Sequence, residues 1–119
     1  MNILTLPWPP TVNTYWRRLP AGRTILSERA RDFRAEVAAY VARHGLQKAN
    51  GKLSVSIEAF PPDRRKRDLD NLPKGILDGL VHAGVIADDG DIDQLTITRR
   101  EMTKGGMVRV FINEMGSEG

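Results

Sequence analysis

The segment at residues 52–60 constrains the fold more than any other part of the chain. Its apolar side chains alternate with polar ones, namely Leu53, Val55, Ile57 and Ala59 against Ser54, Ser56 and Glu58. Because successive side chains of a strand point to opposite faces, this alternation predicts a half-buried β-strand. Two prolines at residues 61–62 end it, since proline cannot donate to a sheet ladder. Such a strand needs neighbouring strands and a layer of structure over its apolar face.

Two helices are predicted to supply that layer. Ser27 is suited to cap a helix that ends near Gly45, with apolar residues at intervals of three and four between them. The second helix is expected to begin at Asp70 or Asn71, either of which can cap it, and to end at Gly84. Two further glycines within this helix are expected to allow close approach of another backbone, from the sheet or from a partner subunit.

Further strands are predicted at residues 2–6, 92–101 and 107–113. The last two are joined through a glycine-containing turn at residues 103–106, which favours a hairpin. Residues 11–24 are predicted to form an irregular, basic and aromatic loop. The order β-α-β-α-β-β indicates an α+β fold in which two main helices pack on a small mixed sheet. A chain of 119 residues without a linker segment is expected to form a single domain, residues 1–119.

Composition excludes several classes of function. The chain has no cysteine and two histidines, which excludes disulfide scaffolds, thiol catalysis, cysteine-ligated metal centres and a histidine-rich metal site. It contains no apolar run long enough to cross a membrane, and its N-terminus lacks the pattern of a signal peptide. We therefore expect a soluble protein in the cytoplasm.

Charge is divided unevenly along the chain. Residues 1–67 hold 13 basic and 5 acidic side chains, a net charge of +8, whereas residues 68–119 hold 5 basic and 10 acidic ones, a net charge of −5. The boundary falls within the short sequence RRKRDLD at residues 64–70. A basic half that meets an acidic half at one point indicates polyanion binding next to a cation site.

Asp68 and Asp70 are the first candidates for that cation site. In extended backbone, residues two apart point to the same side, so both carboxylates can converge on one ion while Leu69 packs inward. Mg²⁺ prefers oxygen ligands and retains several waters, so two or three carboxylates suffice. The alternative is structural: Asp70 caps the second helix and Asp68 pairs with nearby arginines.

A second acidic cluster follows the predicted second helix, and consists of Asp88, Asp89, Asp91 and Asp93. Its spacing begins like an EF-hand, but Gln94 stands where glycine is needed and Arg100 where the bidentate glutamate belongs, which excludes that site. Since this loop leads into a strand, its start can lie beside the second helix and add a ligand to the first pair. A solvated acidic turn is the alternative, most of all for Asp91 and Asp93.

Basic and aromatic residues indicate contacts to nucleic acid. The run at residues 64–67 can hold phosphates beside the carboxylates, as metal-assisted phosphodiester hydrolysis requires. Lys74, one helical turn after Asp70, can reach a scissile phosphate or can be an ordinary exposed lysine. The segment at residues 13–18 interleaves aromatic and basic residues, so Tyr15 and Trp16 either stack on bases or close the core.

Several of these segments resemble one known family. They are LPWPP at residues 6–10 with Asn13 and Tyr15, PDRRKRDLDNLPK at residues 62–74, Asp88 with Asp89, and TKGG at residues 103–106. Together they resemble the RusA family of Holliday junction resolvases, small Mg²⁺-dependent endonucleases of bacteria and their phages. The resemblance spans nearly the whole chain, and the DLDNL core with its basic prefix is its specific part.

The resemblance implies a site and an assembly. It implies that Asp68, Asp70 and Asp89 are the catalytic carboxylates that bind Mg²⁺, with Mn²⁺ as a substitute, and that Lys74 is the catalytic lysine. The DNA-contacting residues that it implies are Asn13, Tyr15, Trp16, Arg17, Arg64, Arg65, Lys66 and Arg67. It also implies a homodimer that nicks opposing strands of a four-way junction during DNA recombination and repair, a two-fold enzyme on a two-fold substrate.

Some alternatives remain open at this point. Asp91 and Asp93 crowd the acidic loop, so Asp88 or Asp91 can replace Asp89 as the third ligand, and Pro73 directly precedes the lysine. A non-catalytic protein that binds branched or single-stranded DNA would use the same basic and aromatic residues. A Mg²⁺ enzyme acting on nucleotides would use the aspartate pair, although no phosphate-binding glycine loop accompanies it.

Overall fold

The computed structural model describes residues 2–116, which form a mixed four-stranded sheet with helices. In chain order the elements are β1 (Asn2–Pro7), α1 (Val12–Tyr15), β2 (Trp16–Arg18), β3 (Thr24–Leu26), α2 (Glu28–His44), β4 (Leu53–Phe60), α3 (Pro73–His82), β5 (Ile92–Arg99) and β6 (Met107–Glu114). The buried side chains of the sheet, α2 and α3 form one apolar core. This arrangement confirms the α+β class. None of the helices in this part of the chain is long and apolar enough to cross a membrane.

Strand β4 lies inside the sheet, between β5 and β6. The order is β1-β6-β4-β5, in which β4 is antiparallel to β6 and parallel to β5. Its predicted alternation is confirmed, since Leu53, Val55 and Ile57 are fully buried. This strictly alternating strand therefore occupies one of the two interior positions of the sheet, where both of its edges are hydrogen-bonded.

The predicted hairpin between β5 and β6 is wrong, because β4 separates these strands. The turn at residues 103–106 does form, with the Gly106 N–H donating to the Thr103 carbonyl at 2.8 Å. However, the Thr103 N–H donates to the Pro61 carbonyl at 2.9 Å, so the turn carries the chain past the end of β4. Placing the apolar β4 inside buries more hydrophobic surface than placing it at an edge. One edge of the sheet is formed by β5, where Leu95 is 44% exposed.

Helix α2 begins and ends as predicted. The Ser27 hydroxyl accepts a hydrogen bond from the Ala30 N–H at 3.1 Å, and Gly45 adopts the left-handed conformation, at φ 60°, that ends the helix. Ala30, Phe33 and Val37 are its buried residues. Their spacing of three and four residues forms the stripe that packs on the core.

Helix α3 does not begin with the predicted side-chain cap. Leu72 occupies the cap position, Pro73 is the first helical residue, and no side chain bonds the free N–H groups. A 3₁₀ turn, Leu69–Asn71, precedes the helix. Burial of Leu72 fixes the entry of the chain into α3, since its side chain is 1% exposed. Asp70 is therefore left without a role in capping.

The glycines of α3 face other parts of the same chain, not the backbone of a partner subunit. A Cβ on Gly79 would meet Val37 of α2 at 3.1 Å, and a Cβ on Gly75 would meet the Tyr15 ring at 3.0 Å and the Pro10 carbonyl oxygen at 3.2 Å. These glycines let α3 pack closely against α2 and the segment before it.

We expect the substitution Gly75→Ala to destabilise the fold by about 1 kcal/mol. Alanine favours a helix over glycine by about 1 kcal/mol, but overpacking typically costs about 1–3 kcal/mol. The Tyr15 ring has little freedom to move away, because its hydroxyl is held by Asp78. Urea unfolding of both proteins measures the difference, and a more stable alanine variant would contradict the close packing.

Residues 11–24 are more ordered than predicted. Instead of an irregular loop they contain α1 and a two-stranded ribbon, in which β2 and β3 pair and Trp16 lies opposite Leu26. The Ser27 N–H donates to the Tyr15 carbonyl at 2.9 Å, and the Ser27 hydroxyl donates to the Thr14 carbonyl at 2.7 Å. Hydrogen bonds to the start of α2 therefore order this aromatic segment.

Candidate active site

Asp68 and Asp70 are exposed carboxylates at the entrance to α3. Asp68 caps the 3₁₀ turn through its backbone only, and Asp70 lies within that turn. Among residues 2–116, neither carboxylate forms an ion pair. Neither structural alternative therefore describes them, because Asp70 does not cap α3 and Asp68 has no arginine partner in this range.

The acidic cluster forms a second 3₁₀ turn, Asp89–Asp91, which packs against α3 and leads into β5. Asp88 caps this turn, and its carboxylate accepts a hydrogen bond from the Gly90 N–H at 2.9 Å. This bond holds the pKa of Asp88 below its ordinary value. Since the Asp88 carboxylate is already hydrogen-bonded within the turn, the Asp89 carboxylate is the more available of the two to bind a ligand.

A cleft of about 310 Å³ opens between α3, the acidic turn and the start of β2. Its lining residues are Trp16, Lys74, Asp78, Val81, Ala87, Asp88 and Asp89. Two predicted catalytic residues, Lys74 and Asp89, therefore share one cleft with the predicted DNA contact Trp16. Asp70 is not among the lining residues, but it precedes Lys74 by one helical turn.

The three predicted metal ligands do not converge on one point. Between residues 2 and 116, no three acidic or histidine side chains lie close enough together to hold a metal ion. Asp68, Asp70 and Asp89 are all exposed. Like charges repel, so exposed carboxylates lower their energy by pointing apart into water. The structure brings the elements that carry these residues together against α3, but not their carboxylates.

The Arg67 side chain is hydrogen-bonded within its own basic loop, residues 63–67. Its guanidinium donates to the Asp63 carboxylate at 2.7 and 3.1 Å, and lies over the Trp8 ring, 5.8 Å from the centroid. These hydrogen bonds hold the pKa of Asp63 well below its ordinary value. Arg99 donates to the Arg67 carbonyl at 2.7 Å. With its side chain only 18% exposed, Arg67 shapes the loop that leads to Asp68.

The other predicted DNA contacts are exposed, with one exception. Exposed side chains are Asn13, Trp16, Arg17, Arg64, Arg65 and Lys66. Trp16 is 42% exposed. Tyr15 is the exception, because its side chain is fully buried and its ring packs over Gly75. Of the two roles considered for these aromatics, Tyr15 closes the core, and Trp16 remains available for stacking.

Sequence reasoning missed a network that joins three distant side chains beside the cleft. Arg34 of α2 donates to both oxygens of Asp78 on α3, at 2.7 and 2.9 Å, and the Tyr15 hydroxyl donates to the same carboxylate. Burial, followed by the bond to Asp78, raises the pKa of Tyr15 to about 12. Burial alone raises the pKa of Asp78, but the bonds from Arg34 and Tyr15 outweigh it and hold that pKa low. The only local signal was that Asp78 follows Lys74 by one helical turn.

Comparisons with known proteins agree on one family. The model of the family described as endodeoxyribonuclease RusA matches residues 7–113. A crossover junction endodeoxyribonuclease from Escherichia coli K12 is 39% identical over 97% of this chain and 96% of its own length. An enzyme of the same name from enterobacteria phage 82 gives the same values, and one from phage HK97 is 36% identical over 94% of this chain and 93% of its own.

Proposed function

The chain belongs to the RusA family of endodeoxyribonucleases, and we propose that it resolves four-way DNA junctions by nicking two opposing strands. The observation that carries this proposal is the cleft in which Lys74 and Asp89 lie beside the exposed Trp16, next to the turn with Asp70. Its close relatives are named as crossover junction endodeoxyribonucleases and match over nearly their full length. These names favour a hydrolase over the two alternatives, a non-catalytic DNA binder and a nucleotide-specific enzyme.

Asp68, Asp70 and Asp89 are proposed to hold Mg²⁺, with Mn²⁺ as a substitute. Their chemistry fits this ion, since they are exposed carboxylates and hard cations prefer oxygen ligands. Because none of the three forms an ion pair within residues 2–116, their side chains are free to change rotamer toward an ion. When bound, the ion supplies Lewis acidity for phosphodiester hydrolysis.

Lys74 is proposed to place its ammonium group against the phosphate that is cut. It is exposed on the first turn of α3 and lines the same cleft as Asp89 of the acidic turn. A fixed positive charge at this position stabilises the negative charge that develops on phosphate oxygens in the transition state. The aspartates alone would repel the substrate, so Lys74 also offsets their charge.

The exposed basic and aromatic residues are proposed to hold the DNA. Arg64, Arg65 and Lys66 would contact phosphates without reading sequence, and Trp16 would stack on a base near the junction crossing. Arg67 is proposed to contribute by shaping the basic loop, since its guanidinium is already bonded to Asp63. Paired nicks require two active sites, which a homodimer with two-fold symmetry provides.

We expect the protein to convert a synthetic four-way junction into two nicked duplexes in the presence of Mg²⁺. Cleavage should stop when EDTA removes the metal, and a linear duplex of the same arm sequence should remain uncut. Denaturing gels with each strand labelled in turn show whether the nicks fall at symmetric positions. Tight binding of the junction without cleavage in Mg²⁺ or Mn²⁺ would instead favour the non-catalytic DNA-binding protein.

A further inference from the structure

The network of Tyr15, Arg34 and Asp78 connects the two sides of the cleft. Asp78 lies one helical turn after Lys74 on α3, and lines the cleft itself. Tyr15 directly precedes Trp16, and their rings meet edge to face with 5.3 Å between centroids. Arg34 ties both to α2, because its guanidinium binds the Asp78 carboxylate through two hydrogen bonds. The Asp78 carboxylate therefore joins the segment that carries Trp16, a proposed DNA contact, to α3, the helix that carries Lys74.

The position of Tyr15 affects both Trp16 and Lys74, because its ring packs against Trp16 and against the residue after Lys74. Its ring lies over Gly75, the residue directly after Lys74, at the distance where a Cβ would collide with it. The same ring borders Trp16. A shift of Tyr15 would thus change the place of Trp16 and the environment of Lys74 together.

Asp78 is not available as another metal ligand. Both of its oxygens accept hydrogen bonds from Arg34, and one also accepts from the Tyr15 hydroxyl. Its side chain is 26% exposed, so water competes only in part for these bonds. A bidentate arginine–carboxylate pair has a fixed geometry, which suits a group that orients others.

Building on the proposed function, we propose that Asp78 is a positioning residue that, together with Tyr15 and Arg34, holds Trp16 and Lys74 on the same cleft. It does not touch the reacting phosphate. It fixes the distance between the side chain that stacks on a base and the side chain that contacts the scissile phosphate. The network would therefore determine which phosphate along the strand is presented for cleavage.

The test compares Tyr15→Phe and Asp78→Asn with the control Glu58→Gln. Glu58 matches Asp78 because its partly buried carboxylate also binds arginine side chains, those of Arg100 and Arg109, but it lies on strand β4 and not on α3. All three changes are made in a Trp8→Phe background, in which Trp16 is the single tryptophan. Tyr15→Phe retains the ring over Gly75, so it keeps the packing even if Asp78→Asn folds poorly.

Fluorescence of Trp16 in the free protein gives the first readout. We expect both variants to lower its anisotropy and to increase its quenching by acrylamide, whereas Glu58→Gln leaves both values unchanged. Because Tyr15 and Asp78 act through one hydrogen bond, the double variant should show no larger change than Asp78→Asn alone. Values for both variants that equal those of the control would overturn the positioning role.

Junction cleavage gives the second readout. We expect Asp78→Asn to lower kcat by about tenfold with little change in KM, which is comparable to the lower end of the loss seen when a group that orients a metal ligand is removed. Nicks should also spread to neighbouring phosphates in both variants. If the unmodified protein cuts no junction, the proposed function fails, and the fluorescence of Trp16 still decides the positioning role. Unchanged nick positions and unchanged kcat in both variants would contradict it.

Discussion

Replacing Asp70 with asparagine is expected to lower junction cleavage by at least about 100-fold while binding of the junction persists. Loss of a group that only orients a metal ligand typically costs about 10–100-fold, so loss of a ligand itself should reach at least the upper end of that range. Asparagine has nearly the same shape but no negative charge, and the carboxylate of Asp70 has no part in capping α3. The variant should therefore fold normally and lose only the metal-dependent step.

Strand cleavage and gel-shift binding of the same junction measure the two halves of this prediction. Asp32→Asn is the matched control, because Asp32 is also exposed and forms no ion pair within residues 2–116, but lies on α2 and does not line the cleft. We expect the control to cut like the unmodified protein. Cleavage by Asp70→Asn at a rate close to that of the control would rule out the metal site proposed here.

The substitution Leu53→Ala is expected to cost about 2–5 kcal/mol of the free energy of unfolding. Leu53 is fully buried on β4, where its side chain packs in the main core, and truncation of a buried leucine leaves a cavity in addition to the lost transfer energy. Because small domains are stable by about 5–15 kcal/mol, this change would remove a large part of the total.

Leu95→Ala makes the same change on the edge strand β5 and serves as its control. Leu95 is 44% exposed, so we expect a loss below about 1 kcal/mol. Urea or thermal unfolding of the two variants measures the difference. Since the comparison depends on β4 being inside the sheet and β5 at its edge, equal losses for both variants would contradict the strand order.

Local patterns predicted most elements of the fold. The alternation at residues 52–60 identified β4, and the pair of Ser27 and Gly45 fixed both ends of α2. Each of these signals depends on a few neighbouring residues, whose conformational preferences act before any tertiary contact forms. The predicted cap of α3 is wrong because a tertiary contact overrides a local preference. Burial of Leu72 outweighs the capping preference of Asp70 and Asn71.

The sequence predicted which residues belong to the candidate site but not how they are arranged in space. The junction of basic and acidic segments led to Asp68, Asp70 and Lys74, and the second acidic cluster together with the family resemblance led to Asp89. Their roles are still predictions. The sequence could not show that Arg67 would turn back onto Asp63 or that Tyr15 would be buried while Trp16 is exposed. In the aromatic segment the two rings are neighbours, and only packing against Gly75 decides which of them faces inward.

By itself, the sequence determined the fold class, the faces of the strands and the residue types available for chemistry. The tertiary structure alone decided that β4 would separate β5 from β6, and that Asp78 would bind Arg34 and Tyr15, which lie 44 and 63 residues away along the chain. The physical reason is that side-chain periodicity is a local property of the backbone. Strand order and distant ion pairs are instead selected by how much apolar surface the whole chain can bury while its polar groups stay bonded.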